Sequence, residues 1–131
     1  MTLKIIVVED KADLAGHLQQ ALGELGHEVC GVARGGGDLA ALLREHEPDL
    51  VTISLGLGER QDGIGVAIVL EAAESIPVVF IADHREEVAA IEESRTIGGS
   101  ARLYRPFTHD DLAQAIDRAI RRVEDAKDAD L

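Results

Sequence analysis

Aromatic side chains are nearly missing: Phe80, Tyr104 and Phe107 are the only three, and there is no tryptophan. A core must therefore be assembled from Leu, Ile, Val and Ala. Cysteine is reduced to Cys30, within EVCGVA, which excludes a disulfide and a cysteine metal site. A buried, inert thiol suits that strand context better than a nucleophile, and a reducing, cytoplasmic setting is expected. Cations are short as well: 13 Lys and Arg stand against 25 Asp and Glu, a formal charge of −12. Phosphate backbones need a cationic footprint, so a nucleic-acid partner is excluded. No apolar run reaches membrane-spanning length, and Met1-Thr2-Leu3-Lys4 lacks a signal-peptide pattern. The run Arg34-Gly35-Gly36-Gly37 lacks the GxGxxG spacing of a dinucleotide fingerprint. The five histidines (His17, His27, His46, His84, His109) show no paired ligand spacing, so surface or capping roles are expected.

What remains is a chain of 131 residues, enough for one domain with a real core. Apolar runs alternate with amphipathic segments. Leu3–Val8 reads as a buried strand stopping at Glu9-Asp10. Ala12–Leu25 reads as a helix, with Leu14, Leu18, Leu22 and Leu25 on one face and Gly26 as its C-cap. A second strand, Glu28–Ala33, precedes a helix that Asp38 would cap and that runs to His46. The third strand, Asp49–Leu55, opens after Pro48 and leads through Gly56, Gly58 and the loop Glu59–Asp62 to Gly63 and a helix over Ile64–Ser75. Pro77–Ala82 is the fourth strand, Asp83 to about Ile97 a helix with a charged outer face, and Ala101–Tyr104 a short fifth strand. Thr108 caps a last helix with Leu112, Ala115, Ile116, Ala119, Ile120 and Val123 on its apolar side. The domain is expected over residues 1–124, with 125–131 an acidic, frayed tail.

Five strands alternating with five helices make an α/β, flavodoxin-like, doubly wound parallel sheet, because right-handed crossovers put helices on both faces. The expected strand order is 2-1-3-4-5, with ligands bound in the crevice beyond the strand ends. Glu9-Asp10, Ser54, Ala82-Asp83 and Arg105 would converge there.

These landmarks, IIVVED at Ile5–Asp10, PDLV at Pro48–Val51, DGIG at Asp62–Gly65, IPVVFIA at Ile76–Ala82 and LYRPF at Leu103–Phe107, resemble the receiver domain of two-component response regulators over about Lys4 to Arg122. The resemblance implies an acidic pair that helps hold Mg²⁺, an aspartate ending the third strand that accepts a phosphoryl group, a Thr or Ser ending the fourth strand, and a Lys before the Pro-Phe pair. Metal and lysine would offset charge on the transferring group. The acidic pair is kept as Glu9 and Asp10. The acceptor position holds Ser54, the Thr/Ser position Ala82 followed by Asp83, and the Lys position Arg105. The mobile aromatic of the fifth strand falls at Arg102, with Tyr104 beyond it.

Each departure has a consequence. Ser54 brings no carboxylate and needs a base to become a nucleophile, and none is evident from the sequence. Ala82 cannot bond a phosphoryl oxygen, and Asp83 would place negative charge at the pocket mouth. With one carboxylate fewer, Mg²⁺ at Glu9 and Asp10 would be held weakly at best, and no other cofactor is implied. Arg105 keeps the positive charge but as a planar fork able to bridge Glu9 or Asp10, replacing the metal and fixing one state.

The expected function is a stand-alone receiver-like signalling module, not an enzyme, that skips aspartyl phosphorylation and works through protein contacts with a histidine kinase, another regulator or itself. A homodimer would use the fourth helix, fifth strand and fifth helix, through Arg85, Glu92, Tyr104, Asp117, Arg118 and Arg121. One alternative is a phosphorylatable regulator using Ser54 or Asp62; another is a small flavodoxin-like enzyme or ligand carrier. A third is an inhibitor occupying a kinase docking surface. Neither a DNA-binding helix pair nor a membrane segment is expected.

Overall fold

The computed structural model describes residues 1–54, 76–82 and 100–129. Five strands form one parallel sheet: β1 (Lys4–Val8), β2 (Glu28–Ala33), β3 (Leu50–Ser54), β4 (Val78–Ala82) and β5 (Ser100–Tyr104), in spatial order β2-β1-β3-β4-β5. Three helices are described: α1 (Ala12–Glu24), α2 (Gly36–Glu45) and α3 (His109–Ala129). The expected helices over 64–75 and 83–97 lie outside the described residues, as do Asp62, Asp83, Arg85 and Glu92. Among the described residues, no helix is long and apolar enough to cross a membrane.

The uninterrupted apolar strands follow from burial on both faces, since successive side chains point to opposite sides of a sheet. Ile5, Val7, Leu50, Val79, Ile81 and Leu103 meet Leu18 and Leu22 of α1 and Leu112, Ala115, Ile116 and Ala119 of α3. Ile6, Val8, Val51, Ile53, Val78 and Phe80 meet Leu39 of α2 on the other side. Phe80 is the only aromatic of the three that is fully buried.

Helix ends are closed by local chemistry. Gly26 takes φ +89° after α1, where the His27 N–H reaches the Leu22 carbonyl and the Gly26 N–H the Gly23 carbonyl, both at 3.0 Å. This is the Schellman closure that favours glycine. At α3, the Thr108 hydroxyl accepts from the Asp111 N–H while the Asp111 carboxylate accepts from the Thr108 N–H, each at 3.0 Å, a reciprocal capping box.

Two boundaries differ from the expectation. The helix α2 begins at Gly36 behind an extended Gly35, not behind Asp38. Asp38 sits inside the first turn, where its carboxylate accepts from the Arg34 N–H (3.1 Å) and faces the positive helix end. The helix α3 continues through Ala129, into the stretch expected to fray. Neither Gly nor Pro occurs between His109 and Ala129 to stop it.

Buried polar groups show where stability responds to substitution. Thr52 is fully buried on the α1/α3 side of β3, and its hydroxyl has no hydrogen-bond partner among the described residues. Thr52→Val, of nearly the same shape, is expected to stabilise the protein by about 1 kcal/mol in urea denaturation, because an unsatisfied buried hydroxyl is removed. His27 Nδ1 accepts from the Leu3 N–H (3.1 Å), so that nitrogen must carry no proton. Burial, and then the N-terminal ammonium, hold its pKa below the ordinary 6.5. The unfolded chain therefore takes up this proton at higher pH than the folded one. The contribution is complete above 6.5 and is lost as pH falls through the folded pKa. The urea midpoint is expected to drop on acidification below that value, and His27→Gln to flatten the drop. Burial likewise pushes the Cys30 thiol up, keeping it protonated and unreactive at neutral pH.

Candidate functional site

The parallel sheet brings the C-terminal ends of β1, β3, β4 and β5 to one edge. Register places Val8 beside Ile53, Ser54 beside Ile81 and Ala82 beside Tyr104. The backbone pairing runs one residue further on both flanks. The Glu9 N–H donates to the Ala33 carbonyl and the Arg105 N–H to the Ala82 carbonyl, each at 2.8 Å. Those two bonds aim Glu9 and Arg105 at the end of β3 from opposite sides.

The three side chains meet there. The Ser54 hydroxyl donates to Glu9 Oε1 at 2.8 Å. Arg105 Nη2 donates to the same Glu9 oxygen at 2.9 Å and to Ser54 Oγ at 3.2 Å. Glu9 Oε2 accepts from the Lys11 N–H at 3.3 Å. Glu9 and Ser54 are buried, with side-chain exposure of 3% at Glu9, whereas Arg105 closes the cluster from outside at 15%. A carboxylate so deep needs a paired cation, and the guanidinium supplies it.

Of the sequence candidates, the structure unites Glu9, Ser54 and Arg105, with the buried methyl of Ala82 ending β4 next to them in the sheet. Asp10 is exposed and stays outside the cluster, so the acidic pair is split. Arg102 is half-buried, and Tyr104 is 44% exposed on β5. Asp117, Arg118 and Arg121 are exposed on α3, where Arg121 pairs with Asp117 at 3.0 Å. Asp49 stands at the opposite edge of the sheet, with its carboxylate taken by the Lys4 N–H at 2.8 Å. One expectation is corrected: Ser54 does have a carboxylate beside it, because Glu9 turns inward to satisfy the hydroxyl. The topology brings both residues to this edge, but the sequence did not show that Glu9 is the one of the pair that meets the hydroxyl.

Sequence reading also missed a groove. Leu14, Leu18 and Ala21 of α1 and Pro106 and Phe107 line an open cleft of about 490 Å³ together with His17, Arg105, Thr108 and His109. His109 contacts Glu24 of α1 at one end, and the Arg105–Pro106 peptide is cis.

Among the described residues, the donors at Glu9 and Ser54 do not fit Mg²⁺, which takes carboxylates and waters in an octahedral array. Glu9 Oε1 already accepts from a hydroxyl and a guanidinium, and Ser54 adds a neutral oxygen. Among the described residues no group of three His, Cys, Asp or Glu side chains is placed to hold a metal ion.

Comparison with known proteins is consistent across sequence and structure. A sequence profile of the response regulator receiver domain matches residues 5–117. The transcriptional regulatory protein PdtaR of Mycobacterium tuberculosis (strain H37Rv) is 31% identical over 119 residues, 91% of this chain and 57% of PdtaR. The chemotaxis protein CheY of Bacillus subtilis is 23% identical, over 92% of this chain and 99% of CheY. Among solved structures, NtrX of Brucella abortus superposes with a TM-score of 0.80 at 25% identity, covering 99% of this chain and 30% of NtrX. The chain spans 57% of PdtaR and about half of the next curated relatives it matches.

Proposed function

Because this chain belongs to the response regulator receiver domain family, we propose that it is a receiver-like module of two-component signalling that works through protein contacts and without aspartyl phosphorylation. One observation carries the proposal: the third strand ends in Ser54, whose hydroxyl is held between Glu9 and Arg105. Aspartyl phosphate formation needs a carboxylate as nucleophile and cations on the transferring group. Here the strand end has no carboxylate, and the cation is already paired with Glu9. Ala82 removes the hydroxyl that would bond the phosphoryl oxygen.

The apolar groove beside α1 supports action by contact. It lies on the same side as the cluster and shares Arg105 with it, so a partner side chain seated between Leu18 and Phe107 would touch the residue that closes the site. A histidine kinase or another regulator is the class of partner proposed. A second copy meeting the Tyr104, Asp117, Arg118 and Arg121 surface is the proposed self-contact.

A second reading has one observation in its favour. Glu9 Oε1, at 2.8 Å from Ser54 Oγ, is placed to accept the hydroxyl proton, as a serine acceptor would require. Incubation with a small-molecule phosphodonor, read by intact mass, separates the two. No phosphoryl adduct is expected. An adduct mapped to Ser54 would overturn the proposal in favour of the serine reading, and one on Asp62 would show another acceptor.

A further inference from the structure

We infer that Arg105 is a tethered cation that takes the place of an exchangeable divalent ion at the strand ends, making the charge balance of this pocket independent of Mg²⁺. The inference rests on reading the Glu9, Ser54 and Arg105 cluster as the receiver pocket.

The lone pairs of Glu9 carry the argument. An ionised carboxylate offers about four acceptor sites. Ser54 and Arg105 take both sites of Oε1, and the Lys11 N–H takes one of Oε2. A metal ion approaching Glu9 would find a single acceptor direction, on the oxygen farther from Ser54. It would also meet a guanidinium 2.9 Å from the other oxygen. Asp10 is exposed, and its partner in the acidic pair has turned inward. An incoming ion in that direction would sit close to the guanidinium, and like charges a few ångströms apart in a poorly solvated site repel strongly.

Arg105 is also fixed in place. Its backbone N–H is bonded to Ala82 at the end of β4. Beyond it, Pro106 and Phe107 line the groove together with α1. A guanidinium stays charged at any physiological pH, unlike an ammonium in a buried site. The cation is therefore held by the chain itself and does not depart as a free ion would. An ion-dependent pocket changes its charge when the ion departs, whereas this one keeps the same charge throughout.

Mg²⁺ titration of the native chain and of Arg105→Ala, followed by amide NMR at Glu9, Asp10, Lys11 and Ser54, tests this. The native chain is expected to show no saturable shifts. Arg105→Ala is expected to gain saturable binding, because Glu9 then recovers an uncompensated charge, and a further Glu9→Gln change is expected to abolish it. Where Arg105→Ala does not fold, Arg105→Gln is titrated and judged in the same way. Saturable shifts in the native chain would overturn the inference. So would their absence in both chains, since the guanidinium would then not be what keeps the ion out. Adding a phosphodonor to the native sample separates this inference from the proposed function. An adduct without metal shifts overturns only the phosphorylation-independent reading, whereas metal shifts without an adduct overturn only the tethered cation.

Discussion

Arg105→Met is expected to destabilise the protein by about 3–5 kcal/mol in metal-free buffer, measured as a lowered urea midpoint. The methionine keeps most of the apolar stem but leaves Glu9, only 4% exposed, without its ion-pair partner. Two hydrogen bonds, from Ser54 and the Lys11 N–H, would remain to a buried charge. Removing one partner of a buried pair costs far more than removing both, because the survivor keeps its desolvation penalty. The double variant Arg105→Met with Glu9→Gln is therefore expected to recover most of the loss, giving a coupling energy well above that of a surface pair. A cost under about 1 kcal/mol for the single variant would place the pair in the solvent-screened class instead. Native stabilities are commonly 5–15 kcal/mol, so this one change removes a sizeable share.

The second large effect lies in the core. Phe80→Ala is expected to cost about 3–5 kcal/mol in the same assay, and Phe80→Leu clearly less. Phe80 is 1% exposed on β4, packed among Ile6, Val8, Val51, Ile53 and Leu39. Phe107 is only half-buried and Tyr104 is 44% exposed, so neither can substitute for it. Its neighbours among the described residues are aliphatic and held by a five-stranded sheet, which limits how far they can collapse into the vacated space. A cost near that of Ile→Val changes, about 1 kcal/mol, would mean that the α2 face of the sheet is loosely packed.

The fold was legible because its signals are local and redundant. Alternating apolar strands and amphipathic helices, punctuated by Gly26, Pro48, Pro77 and Pro106, dictate a parallel sheet covered on both faces, and the strand order follows from right-handed crossovers. The convergence of Glu9, Ser54 and Arg105 follows from that topology, since all three stand just at or past strand ends. The details inside the cluster were not legible. Glu9 and Asp10 are adjacent and chemically alike, and it is Glu9 that continues the strand pairing, through its bond to Ala33, and meets Ser54 and Arg105. The α2 start was misplaced because Asp38 is a good cap by type, while the position itself is set by the extended Gly35 three residues earlier. The groove escaped because its two walls, α1 and the segment after β5, are about 90 residues apart and become neighbours only once the sheet is closed.

The irregularity between β1 and β2 has a consequence for how this molecule meets its own copies. Ile5 is opposite Val29 but Ile6 is opposite Gly31, so Cys30 is an extra residue in the outermost strand. A bulge twists the strand and puts its free N–H and C=O groups out of step with any regular ladder that would add to them. With Val32 as the one large apolar side chain exposed there, growth by strand addition along that border is disfavoured. The β2 border is thus a poor template for the extended sheets that propagate from one copy to the next.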